Sequence, residues 1–117
     1  MKIRDGVYEA GNQLYVVAES TLVWTSPPRD YDDNYGMRGT EVCNFYRTPK
    51  GNWFKIRIFM LVKRAVGWWK PPVQQPPMAI FGVFPDAQHA YCAMRDWGCP
   101  WESAGQVWDP EKELKHA

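Results

Sequence analysis

From Trp53 to Lys63 the chain alternates, with Phe54, Ile56, Ile58, Met60 and Val62 falling on one face of an extended strand. The opposite face carries Trp53, Lys55, Arg57, Phe59, Leu61 and Lys63. Thr40–Thr48 supplies a partner strand, and Pro49-Lys50-Gly51-Asn52 between them is a turn signal. The pattern predicts a hairpin with the Phe54–Val62 face in the core and the basic, aromatic face toward solvent. Reversing the charges of Lys55 and Arg57 is then expected to spare the fold, whereas Ile56→Asp is expected to unfold it.

Upstream, Val7–Ala10 and Leu14–Ala18 flank Gly11-Asn12, residues that tolerate the positive φ of a two-residue hairpin turn. Thr21–Trp24 reads as a further short strand, stopped by Ser26-Pro27-Pro28 because proline has no N–H to donate to a ladder. A polar loop is expected from there to about Gly39. Downstream, Ala65–Pro77 contains Trp68-Trp69 and two proline pairs and reads as an extended connector. Met78–Phe84 reads as a buried strand. Asp86 is placed to cap a helix whose apolar stripe is Ala87, Ala90, Tyr91, Met94 and Trp97, with Gly98 and Pro100 ending it. From about residue 103 a tail is expected, with a frayed helical turn at Glu111–Lys115. These elements predict one domain over 1–117 of the α+β class: a twisted antiparallel sheet of five to six strands with one packed helix. The alternative is an all-β sandwich, or a partly open barrel, with a peripheral helix.

A length of 117 residues fits a single domain. The longest apolar run, Ile58–Val62, is far short of the ~20 residues that span a bilayer, and the first residues lack the apolar stretch of a secretion signal. Three cysteines cannot all pair, which favours a reducing compartment. A cytoplasmic protein with no membrane contact is expected.

The net charge of +1 conceals a segregation. Residues 1–41 hold seven acids and four bases, residues 42–85 hold seven bases and no acid, and residues 86–117 hold six acids and three bases. Acidic flanks of this kind either fold back over the basic centre or leave it as a positive patch. Within that centre Arg47, Lys50, Lys55, Arg57 and Lys63 alternate with Trp53, and Trp68, Trp69 and Lys70 follow in the connector. Tryptophan beside arginine is what protein interfaces use at their hot spots, and aromatic rings beside cations also hold single-stranded nucleic acid. These nine residues are the candidate partner-binding set. A protein partner is the first reading, and nucleic acid the second.

Other chemistry is thinly represented. Gly-x-Gly-x-x-Gly, a Walker loop and Gly-x-Ser-x-Gly are all missing, and the two histidines, His89 and His116, have no orienting partner in the sequence. No enzyme and no cofactor are expected. Asp30, Asp32, Asn34 and Glu41 sit at calcium-loop spacing, but Tyr35 occupies the position of the turn glycine, so a solvated acidic loop is expected instead. His89, Cys92, Cys99 and Cys43 are the metal-like residue types; without a Cys-x-x-Cys pair, buried thiols are expected rather than a zinc site.

The stretch Tyr46-Arg47-Thr48-Pro49-Lys50-Gly51-Asn52-Trp53-Phe54, followed by a strand and a helix opening at Asp86, resembles small bacterial and phage proteins with such a hairpin. In overall character the chain is similar to the short anti-defence proteins of phages and mobile elements, anti-CRISPR proteins among them. The resemblance implies a non-enzymatic inhibitor that occludes a functional surface of a bacterial host defence protein. It carries no site residue across.

Overall fold

The computed structural model describes residues 1–64 and 70–115. Trp68 and Trp69 of the candidate set lie outside the described residues.

The frame is the expected hairpin, longer than its turn signals alone required. Strands β6 (Met37–Arg47) and β7 (Trp53–Lys63) pair antiparallel in unbroken register from Met37↔Lys63 to Arg47↔Trp53. Gly51 makes the turn at a φ of 86°, with its N–H donating to the Thr48 carbonyl. Each long strand is flanked by two short ones. Along β6 run β4 (Thr21–Thr25) and β5 (Arg29–Asp32); along β7 run β8 (Val73–Gln74) and β9 (Met78–Phe84). A proline pair separates the two pieces on each side, Pro27-Pro28 and Pro76-Pro77, because a ladder cannot continue through residues without an N–H. The result is one six-stranded sheet.

Two layers cover this sheet. On the Phe54–Ile58 side lies a second, three-stranded sheet of β1 (Lys2–Arg4), β2 (Val7–Ala10) and β3 (Gln13–Val16). Gly11 and Asn12, at φ 57° and 61°, form its two-residue turn. Tyr8 stacks on Phe81 at 4.5 Å, and Tyr15 meets Phe54 edge-on at 5.4 Å. On the other side lies helix α1 (Ala87–Asp96), which buries Ala90 and Met94. Asp86 caps it by accepting from the His89 N–H. At its end Gly98 takes a φ of 93°, and the Cys99 and Gly98 N–H groups reach back to the Met94 and Arg95 carbonyls.

The α+β class holds in this coarse form, with strands dominant and helix minor; the sheets do not close into a barrel. Four details differ from the sequence reading. Strand β9, expected to be buried, is an outer strand with Met78, Ile80 and Val83 exposed. The expected loop after Pro28 is a second hairpin, β5 to β6, because Asp33 Oδ1 accepts from the Tyr35 and Met37 N–H groups and Gly36 turns at φ 82°. The three-stranded layer is a sheet of its own rather than an extension of the main one. The expected tail packs where it begins: after α2 (Trp101–Ala104), Ala104 is fully buried and Val107 lies against the core, before a last turn, α3 (Pro110–Glu113).

Candidate protein-interaction site

The face that carries the candidate cations is roofed by α1. Cys43 and Phe45 from β6 are buried beneath it, Trp53, Phe59 and Leu61 are buried along the same face of β7, and Lys55 and Arg57 are half-buried. The expectation of a solvent-facing basic surface is thus overturned: β7 has buried residues on both faces, and the face expected to be core throughout is buried at Phe54 and Ile56 but 47% exposed at Met60. Alternation alone cannot show this, since long cationic stems cover apolar neighbours as well as reaching water.

Arg57 has a dedicated counter-ion. Its Nη2 lies 2.7 Å from Glu41 Oε2, and Arg29 Nε lies 2.9 Å from Glu41 Oε1. Glu41 is 5% exposed. Burial works to raise its pKa, but the two guanidinium hydrogen bonds prevail and hold it below the usual glutamate value. The Arg29 guanidinium stacks over Trp97 at 3.4 Å, fastening the end of α1 to β5. Arg57 Nε is buried without a hydrogen-bond partner among the described residues. Glu41, last acid of the acidic N-terminal block, therefore folds back to neutralise the basic centre. Reversing the charge at Arg57 would place two carboxylates together, so that substitution is not silent.

The remaining candidates separate into two groups. Arg47 and Lys50 are exposed near the hairpin turn, whereas Lys63 and Lys70 are exposed at or beyond the opposite end of β7. Ten steps along the strand, roughly 33 Å at ~3.3 Å each, separate Trp53 from Lys63. Lys55 runs its stem over Gly82, where a Cβ would meet its Cε at 3.2 Å, and brings its Nζ within 5.7 Å of the Phe84 ring.

What the structure does bring together is Arg47 with Trp53, guanidinium to ring at 5.5 Å. They edge a cleft of about 400 Å³ walled by Trp24, Met94 and Val107 and lined with hydroxyl and amide groups from Thr21, Ser103 and Gln106. No carboxylate lines it, and among the described residues Arg47 has no acidic partner. Trp24 and the segment after Ala104 were not in the candidate set. Trp24 reads in sequence only as a strand residue, and the later segment reads as tail, so nothing local announces that they meet Arg47.

No protein family, curated protein or solved structure matches this chain. Function must be argued from the site.

The other chemical candidates resolve simply. Cys43 and Cys99 are fully buried in one apolar cluster; burial pushes the Cys43 thiol up to about 11 and raises Cys99 as well, so neither is a ready thiolate. Cys92 is exposed, and the His89 Nδ1 lies 2.7 Å from Asp86 Oδ1. Among the described residues no three His, Cys, Asp or Glu side chains are grouped to hold a metal ion. Of the calcium-spaced oxygens, Glu41 is committed to its two arginines. No described helix is long and apolar enough to cross a membrane.

Proposed function

We propose that the protein is a non-enzymatic binding module that engages a protein partner through the Arg47 cleft. One observation carries this reading: an exposed guanidinium, without an acidic partner among the described residues, sits at the mouth of a cleft walled by two tryptophans. Arginine and tryptophan set in a partly desolvated recess are the residues that dominate measured hot spots. The matching occupant is an acidic side chain flanked by an apolar one on the partner's surface. An inhibitor acting by occlusion needs nothing more, and the target class implied by the resemblance is a bacterial defence protein of the CRISPR-Cas type. Nucleic acid is the weaker reading, because backbone-tracking sites need a continuous cationic groove. Here the cations are split between two ends, and Arg57 between them is already neutralised.

The test is affinity capture from nuclease-treated bacterial lysate with wild-type protein and with Arg47→Glu. A stoichiometric protein partner is expected with the wild type. Its affinity should fall by roughly thirtyfold or more in the variant, the scale of a lost hot spot. Retention of the partner at full affinity by Arg47→Glu would exclude the cleft. A complex that forms only when nuclease is omitted would identify nucleic acid instead.

A further inference from the structure

We infer that β9 is a self-association edge, at which a second copy of this chain pairs antiparallel to extend the six-stranded sheet across a two-fold axis. Exposed strand edges present unpaired N–H and C=O groups, and proteins blunt them with charge, bulges, proline or shortness. The other outer strands show these devices. Strand β1 carries Lys2 and Arg4 and a register shift; β4 has a shift between Leu22 and Trp24; β5 carries Arg29, Asp30 and Asp32. Strand β3 is four residues long and β8 two. Strand β9 shows none of them. Met78-Ala79-Ile80-Phe81-Gly82-Val83-Phe84 is seven residues without a charge, pairs with β7 in unbroken register, and has no second strand partner among the described residues. Met78, Ile80 and Val83 are 48%, 44% and 42% exposed.

The occupant follows from the strand itself. A two-fold interface must be self-complementary, and an uncharged antiparallel strand meets its own copy with no like charges opposed. Centred on Phe81, the pairing sets Ile80 against the partner's Gly82 and Met78 against the partner's Phe84. Val83 meets the partner's Ala79 and Phe81 its own copy, so no two branched aliphatic side chains are opposed. Pro77 and Pro85 bracket the strand and fix its length, so the ladder stops after seven residues. With the other edges protected, the assembly closes at two chains instead of growing into a fibre. The Arg47 cleft involves no β9 residue, so pairing and the proposed partner site stand or fall separately.

Sedimentation velocity over about a hundredfold range of protein concentration reads this directly. The expected result is reversible conversion of a 13.6 kDa species to one of twice that mass. The double variant Ile80→Lys, Val83→Lys, which places one charge on each face of the edge, should stay monomeric throughout. A wild type that remains monomeric at the highest concentration overturns the inference, as does a folded double variant that still dimerises or a mass that grows beyond two chains. Should the double variant not fold, wild-type hydrogen exchange decides. Alternate amides within residues 78–84 must gain protection as concentration rises, and unchanged exchange there overturns the pairing.

Discussion

Glu41→Ala is expected to destabilise the fold by about 3–5 kcal/mol, since it leaves Arg57 half-buried without its counter-ion. The loss is expected to be large because Glu41 is itself buried and serves two guanidiniums that come from different strands. One of them also grips Trp97, so the substitution loosens α1 along with the sheet. The same carboxylate sets an acid sensitivity. Its pKa is lower in the folded protein than in the unfolded chain, where glutamate titrates near ~4.3. The unfolded state therefore takes up the proton first. The stabilisation is complete above the unfolded value and is lost as pH falls through the folded one. Denaturant titrations at neutral pH and stepwise into acid will show both effects. The variant should be weaker at neutral pH and should lose less on acidification than the wild type. A variant within 1 kcal/mol of wild type at neutral pH would mean that water, not Glu41, neutralises Arg57.

Phe45→Ala and Phe54→Ala are expected to cost about 3–5 kcal/mol each, the usual range for truncating a fully buried phenylalanine. The two rings point to opposite sides of the same sheet. Phe45 lies under the helix, stacked on Phe84 at 5.9 Å and tilted against Trp24 at 5.8 Å. Phe54 lies under the three-stranded layer, stacked on Tyr46 at 5.0 Å and close to Tyr15 and Phe81. If only one face were core, one of the substitutions would be nearly neutral. Comparable losses in equilibrium unfolding of the two single variants confirm a sheet covered on both sides; a loss under about 1 kcal/mol at Phe45 returns the helix face to solvent.

Local signals in the sequence reported local structure well. The Pro49–Asn52 turn, the Gly11-Asn12 turn, the Asp86 cap and the Ala90–Met94 stripe each encode their element within a few residues, and each element forms where those residues stand. The β5–β6 hairpin was not read from the sequence, since Asp33 and Gly36 are turn residues set among charges that read as a solvated loop. The sandwiching of β7 was not legible. Whether Lys55 and Arg57 meet water or a helix depends on where α1 docks some thirty residues later, and on a glutamate that reaches Arg57 across a diagonal of the β6–β7 ladder. The Arg47 cleft is hidden for the same reason. Its walls come from β4, β6, β7, α1, α2 and the segment after it, and no spacing rule joins them.

The two covering layers come from opposite sides of the central hairpin in chain order, and this gives the protein a schedule during synthesis. Chains emerge from the ribosome N-terminus first. The three-stranded layer is therefore already available when β6 and β7 appear, and Phe54 and Ile56 find their cover at once. Phe45 and Cys43 wait for α1 and for Cys99, Ala104 and Val107 behind it, which emerge last. A nascent chain paused near Pro85 would hold one finished face and one bare aromatic face, with β9 as its newest strand. That interval is where a chaperone, or a neighbouring copy on the same message, would find the most to hold.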